Sequence, residues 1–166
     1  TAQKRGLIQY DELKLLTAQM TQLNKAGEAL GKIEGVTAMT DVTGFGLLGH
    51  MVEMAGGSGL SAELYYSKLQ VLDGAREYLA RRIIPDATYR NWNSYSTMTS
   101  FDPGVNVMEA FSLLPDPQTN GGLLLAVSPA AIDSVAGVFT DHGLQQFMQP
   151  IGRMVAAGEK TILVKA

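Results

Sequence analysis

The sequence predicts an α/β domain of the α+β kind, in which a mixed β-sheet is flanked by helices. Three observations lead to this fold class. Apolar residues recur at helical spacing in several stretches, short β-branched or apolar runs lie between these stretches, and two glycine-rich turns adjoin such runs. Helices and strands alternate without a strict βαβ rhythm, which favours a mixed sheet over a doubly wound parallel one. A chain of 166 residues can form one good core, so we expect one domain.

Composition excludes several classes of protein. With 46% hydrophobic and 17% charged residues, the chain is typical of a globular protein and not of a disordered one. The net charge of −3 and the thirteen scattered Lys and Arg residues argue against a nucleic-acid partner. No apolar run approaches the ~20 residues of a membrane span, so no membrane partner is expected. The absence of cysteine excludes a cysteine nucleophile in this chain and fits a cytoplasmic location.

The first half of the chain is predicted to alternate helices and strands. Apolar residues at helical spacing predict one long amphipathic helix from Asp11 to about Ile33. A strand over 36–40 and a helix over 47–55 enclose the first glycine-rich turn, and the alternating run 60–66 predicts a second strand. One or two helical turns then precede Pro85, because proline cannot continue a helix.

The second half contains one segment without a clear period. Residues 86–115 show weak periodicity and several turn-forming residues, so we predict a long irregular connection there. The remaining predicted elements are, in chain order, a central strand over 123–127, a helix that begins at Ser128-Pro129 and ends at Gly143, and a hairpin of strands 146–156 and 161–164 around Gly158.

The first glycine-rich turn lies in the run Thr40-Asp41-Val42-Thr43-Gly44-Phe45-Gly46, between a predicted strand and a predicted helix. The first N–H groups of a helix have no intrahelical partner, and glycine lets a ligand approach the backbone, so this turn can bind an anion. Asp41 could hold a divalent cation against a phosphate. The same residues also fit a structural turn in which Asp41 or Thr43 caps the helix. A dinucleotide fingerprint is disfavoured, because no acidic residue ends a second strand about twenty residues further on.

The second glycine-rich turn, Asp116-Pro117-Gln118-Thr119-Asn120-Gly121-Gly122, runs into the apolar segment 123–127. It is either an anion-binding turn or only an entry turn into a strand, since Asn-Gly is a frequent turn pair. Arg90-Asn91-Trp92-Asn93 either reaches a phosphate or anchors a loop through its tryptophan. We interpret His50 as a packed histidine and not a catalyst, and His142 as a complement to a helix C-terminus.

Residues 39–50 and 116–124 resemble the two signature stretches in the C-terminal half of bacterial selenophosphate synthetases, also called selenide, water dikinases. Arg90-Asn91 lies between these stretches, and the similarity covers essentially the whole chain. Related members of the aminoimidazole ribonucleotide synthetase-like superfamily share the glycine turn but differ at Phe45 and at Leu48-Gly49-His50. Within the superfamily, the resemblance therefore favours the selenium enzyme.

The resemblance implies ATP-dependent phosphoryl transfer that converts selenide and water to selenophosphate with release of AMP and phosphate. It also implies a homodimer that uses Mg2+, with Asp41 as a magnesium ligand. Such transfer depends mostly on positioning and on neutralisation of charge. Asn120 stands where the family usually has serine. The residues that the resemblance places near ATP or its phosphates are Thr43, Gly44, Gly46, Asn91, Gln118, Thr119, Gly121 and Gly122.

The family fold joins an N-terminal dimerising domain to a C-terminal α/β domain, with ATP near the junction, and residues 1–166 resemble only the second. The family's reactive Cys or Sec, its partner lysine and its other magnesium aspartates have no counterpart in this chain. We therefore expect the C-terminal domain of a longer two-domain enzyme, whose partner is its own N-terminal domain, with no catalytic residue and no activity alone. A related ATP-using synthetase or kinase domain, and a non-catalytic interaction module that uses residues 86–115, remain alternatives.

Overall fold

The computed structural model describes all 166 residues, Thr1–Ala166. Short 3-10 turns connect several of the elements, and none of the helices combines the length and hydropathy needed to cross a membrane. The α-helices are α1 (Tyr10–Thr21), α2 (Ala26–Leu30), α3 (Gly46–Gly57), α4 (Ala75–Ala80), α5 (Asp86–Tyr95), α6 (Val107–Leu113) and α7 (Ile132–Asp141). The strands are β1 (Val36–Asp41), β2 (Leu60–Tyr65), β3 (Thr99–Phe101), β4 (Leu123–Val127), β5 (Gly152–Ala156) and β6 (Ile162–Lys165).

The six strands form two separate sheets. A four-stranded sheet has the order β3-β6-β2-β5, in which β2 is antiparallel to β5 and parallel to β6, and β6 is parallel to β3. Strands β1 and β4 pair with each other in a two-stranded antiparallel ribbon. The predicted fold class, a mixed sheet with flanking helices, is therefore confirmed.

Two apolar clusters hold these layers together. The main cluster of 13 buried residues lies where α3 packs on the four-stranded sheet, and Leu48, Leu64, Ile162 and Val164 are fully buried in it. A smaller cluster of Ala26, Leu30 and Val135 joins α2 and α7 beside the ribbon. Each fully buried aliphatic side chain contributes about 1.5 to 3 kcal/mol relative to its exposed state, so the main cluster dominates the stability of the fold.

The single long helix predicted over 11–33 is wrong, because the structure contains two helices there. Helix α1 ends at Thr21 and α2 begins at Ala26. The side-chain amide of Asn120 donates hydrogen bonds to the carbonyls of Gln19, at 3.1 Å, and of Gln22. Carbonyls at a helix end need partners outside the helix, and here a side chain about 100 residues away supplies them. Apolar periodicity carries no signal of such a contact.

The irregular connection predicted over 86–115 is also wrong, since this segment forms α5, β3 and α6. The buried residues of α5 are Thr88 and Asn91, which are polar, so the most buried positions of this helix give no apolar signal in the sequence. Trp92 packs its ring on Phe101 of β3 and Phe111 of α6, with centroid distances of 5.9 and 5.0 Å. The tryptophan is thus an anchor of this segment, one of the two roles that the sequence left open.

The predicted C-terminal hairpin does not form. Strands β5 and β6 lie on opposite sides of β2, so they are not neighbours in the sheet. Strand β5 starts only at Gly152, and residues Gln145–Phe147 form a 3-10 turn. Ile162 and Val164 are fully buried in the main cluster, which places β6 inside the sheet between β3 and β2. In the predicted hairpin, β6 would instead pair with β5.

The central position predicted for the strand over 123–127 is wrong as well, because β4 pairs with β1 alone. Its continuous apolar character has another cause. Leu124 belongs to the main cluster, while Leu123 and Leu125 pack against the smaller one, so both faces of β4 meet apolar partners. Two apolar faces produce the same sequence pattern as a strand in the centre of a sheet.

The helix predicted after Ser128-Pro129 is present with a different beginning. Pro129–Ala131 form a 3-10 turn before α7, and the Ser128 side chain makes no capping hydrogen bond. The predicted end is confirmed, because α7 stops two residues before Gly143, which has the left-handed φ of +69°.

Candidate anion and metal site

Both glycine-rich turns lie at one end of the β1–β4 ribbon. The strands are antiparallel, so the end of β1 meets the beginning of β4, and Asp41 stands opposite Leu123. Beyond that pair, the Val42 N–H donates to the Gly122 carbonyl and the Gly121 N–H donates to the Val42 carbonyl, both at 2.9 Å. Asp41 therefore lies in the first turn and beside the end of the second.

Further backbone hydrogen bonds join the two turns directly. The Thr43 carbonyl accepts the N–H of Gly46 at 3.0 Å and the N–H of Gln118 at 3.1 Å. The Leu48 N–H, in the first turn of α3, donates to the Leu114 carbonyl at 2.9 Å. One carbonyl thus serves the first turn and the second, which makes them parts of a single site.

Two of the glycines permit this close approach. Gly46 has a φ of +67°, and a Cβ there would lie 2.6 Å from the Pro115 carbonyl carbon and 2.8 Å from the Asp116 oxygen. A Cβ on Gly121 would lie 2.8 Å from Cγ1 of Val42. Gly44, in contrast, has open space where its Cβ would be. Close packing of the two turns therefore requires glycine at positions 46 and 121, whereas the backbone at Gly44 is open to solvent.

Four backbone N–H groups at the turns have no hydrogen-bond partner in the chain: those of Gly44, Phe45, Thr119 and Asn120. Gly44, Phe45 and Thr119 are exposed. Unpartnered N–H groups at a strand-to-helix turn carry partial positive charge and suit an anion such as phosphate. Each turn can therefore contribute donors to a bound anion.

Asn91 connects the two turns from the side of α5. Its Nδ2 donates to the carbonyl of Gly44 at 2.8 Å and to the carbonyl of Pro115 at 2.9 Å, and the residue is 8% exposed. A side-chain amide has two N–H groups, so both are in use. Asn91 thus lies within the site but has no N–H left to donate to a phosphate.

His50 supports the first turn from α3. The Thr43 N–H donates to its Nε2 at 3.0 Å, and the Thr43 hydroxyl lies 3.2 Å from the same atom. Since Nε2 accepts, the other ring nitrogen, Nδ1, is the donor, and it lies 3.6 Å from a Glu53 carboxylate oxygen. The ring is buried, so the structure agrees with the interpretation of His50 as a packed histidine.

Asp116 is a titratable group of this site that the sequence analysis did not single out. Burial raises the pKa of its carboxyl to about 6, although hydrogen bonds from Gln118 and Thr88 act in the opposite direction. Gln118 Nε2 donates to one carboxylate oxygen at 2.8 Å and the Thr88 hydroxyl to the other at 3.4 Å. The available sequence signal was an aspartate enclosed by Leu114-Pro115 and Pro117, where apolar neighbours favour burial.

Asp41 is exposed at the end of β1 and caps no helix. The N-cap of α3 is Phe45, with no side-chain capping bond, so the capping alternative for Asp41 and Thr43 is wrong. No three His, Cys, Asp or Glu side chains converge anywhere in the chain, so Asp41 offers one carboxylate and not a complete metal cage. Mg2+ commonly takes one or two protein carboxylates together with phosphates and waters, and Asp41 fits such a shared site.

Asn120 fixes the second turn to α1. Besides its bonds to the carbonyls at the end of α1, it accepts the Gly122 N–H on Oδ1 at 3.1 Å, and its own carbonyl accepts Gln19 Nε2 at 3.3 Å. The amide therefore packs a helix against the turn. Thr119 is exposed and makes no side-chain hydrogen bond.

Residues 1–165 match the family model described as AIR synthase related protein, C-terminal domain. Selenide, water dikinase of Haemophilus influenzae strain 86-028NP is 39% identical over 165 residues, which are 99% of this chain and 46% of the relative. The proteins of the same name from Cronobacter sakazakii and Salmonella typhi are 46% and 45% identical over 158 and 157 residues, in each case 95% of this chain and 44% of the relative. The chain spans about half the length of these curated relatives, and the resemblance predicted from the two signature stretches is confirmed.

Proposed function

The chain belongs to the family of AIR synthase related proteins, C-terminal domain, and on this basis we propose that it is the C-terminal domain of an ATP-dependent selenophosphate synthetase. The proposed reaction consumes ATP, selenide and water and forms selenophosphate, AMP and phosphate. Similarity to selenide, water dikinases over 95 to 99% of the chain supports this assignment. The observation that carries it is the convergence of Asp41 and four unpartnered N–H groups at one end of the ribbon.

In this proposal the chain binds and orients the phosphates of ATP. Asp41 supplies one carboxylate to Mg2+, which neutralises phosphate charge when bound. The N–H groups of Gly44 and Phe45 in the first turn, and of Thr119 in the second, donate to phosphate oxygens. Donors held in place before the reaction stabilise charge without reorganisation, which is the main requirement of phosphoryl transfer.

The other predicted site residues act on the backbone around these donors. Thr43 and Gln118 join the two turns, Gly46 and Gly121 allow the turns to touch, and Gly122 extends the ribbon through its carbonyl. Asn91 belongs to the site through the two carbonyls that it binds.

The reacting groups are proposed to come from outside this chain. It contains no cysteine, and no three of its His, Asp or Glu side chains converge to hold a metal ion. We propose that the N-terminal domain of the same longer protein supplies the nucleophile and the further magnesium ligands, that the whole enzyme is a cytoplasmic homodimer, and that this chain alone makes no AMP from ATP and selenide.

The test is Asp41→Asn in the complete protein, assayed as selenide-dependent AMP formation over a range of Mg2+ concentrations. Loss of a residue that only supports a metal ligand typically weakens metal binding roughly tenfold or more. Asp41 is proposed as a direct ligand, so we expect the half-saturating Mg2+ concentration of Asp41→Asn to rise by more than about tenfold. Asp73→Asn, which changes an exposed carboxylate in a different turn, is the matched control and should leave the Mg2+ dependence unchanged. An unaltered Mg2+ dependence in Asp41→Asn would refute the role of Asp41, and a wild-type protein that forms no AMP would refute the reaction.

A further inference from the structure

The peptide between Gly44 and Phe45 is the least restrained part of the site. Gly44 has open space around its Cα, and the N–H groups of both residues lack partners in the chain. Glycine adopts many backbone conformations at little cost, so this peptide can rotate unless another group restrains it. The only hydrogen bond to its carbonyl comes from Asn91 Nδ2, at 2.8 Å.

That bond determines where the Phe45 N–H points. The Gly44 carbonyl and the Phe45 N–H belong to one peptide plane, and in a trans peptide they point in opposite directions. The structure contains no cis peptide. Since Asn91 is buried on the inner side of the turn and binds the carbonyl there, the N–H is directed away from the protein, toward solvent.

The same amide fixes the distance to the second turn. Its other N–H donates to the Pro115 carbonyl, which lies immediately before Asp116-Pro117, and Pro115 is fully buried. Asn91 is located on the 10-residue helix α5, which packs against α3, the helix that follows the first turn. The bond to Pro115 is buried and the bond to Gly44 is partly buried, so water competes little with the first and the amide holds the two backbone segments together.

We infer that Asn91 is a positioning residue that directs the Phe45 N–H at a phosphate oxygen and keeps the second turn beside it. The inference rests on the proposed function for the identity of the anion, which is a phosphate group of a nucleotide. Asn91 itself does not touch that phosphate, because both of its N–H groups bind backbone carbonyls. Its effect is on the orientation of a donor that becomes important as charge develops in the transferred group.

The kinetic test compares Asn91→Ala with Asn93→Ala in the complete protein. Asn93 is an exposed asparagine two residues further along α5, so it is the matched control. We expect kcat for selenide-dependent AMP formation to fall about tenfold or more in Asn91→Ala, the order expected for one misdirected hydrogen bond to a charged group. The KM for ATP should change less than kcat, and Asn93→Ala should match the wild type. Asn91→Gln keeps two amide donors on a longer side chain and should recover part of kcat.

A second measurement does not depend on activity. In the same proteins, two amides should exchange faster in Asn91→Ala relative to Ala62 in β2: Gln118, which bonds to the first turn, and Leu48, which bonds to the Leu114 carbonyl ahead of the second turn. Equal acceleration at all three amides, or a folded Asn91→Ala protein with wild-type kcat, would overturn the positioning role. If the wild-type protein forms no AMP, the proposed function fails, and the exchange pattern alone decides the role of Asn91.

Discussion

Replacing Gly46 by alanine should strongly destabilise the fold, because two separate costs apply at this position. Its φ of +67° is in the left-handed region, where a residue with a Cβ loses about 1 to 2 kcal/mol. The new Cβ would also lie 2.6 Å from the Pro115 carbonyl carbon and 2.8 Å from two carbonyl oxygens. These are backbone atoms, so relief requires a shift of the main chain, which typically costs about 1 to 3 kcal/mol.

The two costs together predict that Gly46→Ala lowers the free energy of unfolding by about 2 to 5 kcal/mol. The assay is urea unfolding followed by circular dichroism, with the slope against urea compared between variants. Gly44→Ala is the control, because it lies in the same turn, has open space for a Cβ and has no left-handed φ. It should change the free energy of unfolding by no more than about 1 kcal/mol in either direction.

The difference between the two variants is the decisive quantity. Substitutions at ordinary surface sites change the free energy of unfolding by about 0.5 kcal/mol or less. If Gly46→Ala and Gly44→Ala differ by no more than this, the first turn does not make the close contact with residues 114–116. The roles assigned to the two glycines would then have to be abandoned together.

Two further predictions concern titration and a buried hydrogen bond. The pKa of the Asp116 carboxyl is raised from 3.8 to about 6. The stability that this group contributes is therefore fully present below pH 3.8. About 3 kcal/mol of the free energy of unfolding is lost as the pH rises through about 6. Between pH 4 and pH 7 the wild type should therefore lose stability relative to Asp116→Asn in urea unfolding, and parallel pH profiles would contradict the burial of this carboxyl. His50→Ala leaves the Thr43 N–H without its acceptor and should cost about 1 to 3 kcal/mol, whereas the exposed His142→Ala should cost about 0.5 kcal/mol or less. Equal effects of the two histidine substitutions in thermal unfolding would show that His50 does not support the turn.

The sequence predicted the parts of the site that depend on local chemistry. A β-branched strand, two glycines and a following apolar helix were sufficient to locate the turn after Asp41, and Asn120-Gly121-Gly122 located the second one. These features depend on residues adjacent in the chain. What joins the two turns, the Asn91 amide and the Thr43 carbonyl, depends on residues 24 to 75 positions apart, so it could not be derived from local pattern.

The errors in the predicted fold have the same physical origin. Helix α5 escaped prediction because Thr88 and Asn91, its buried residues, are polar and hydrogen-bonded to the site. The break between α1 and α2 depends on the Asn120 side chain, and the place of β6 depends on the main apolar cluster. In each case a contact distant in sequence outweighs the local preference, which is common where a functional site restricts the choice of residue.

The position of β6 in the four-stranded sheet also affects how the chain acquires its structure. Strand β2 pairs with β6 and β5, and its partner residues lie about 90 to 100 positions later in the chain. During synthesis on the ribosome, β2 and β3 therefore have no strand partner until residues 152–165 have been made, and the main apolar cluster stays incomplete because it still lacks Ile162 and Val164. Pairings so distant in sequence slow folding and prolong the exposure of apolar surface, so we expect this chain to fold more slowly than a chain of the same size with local pairings.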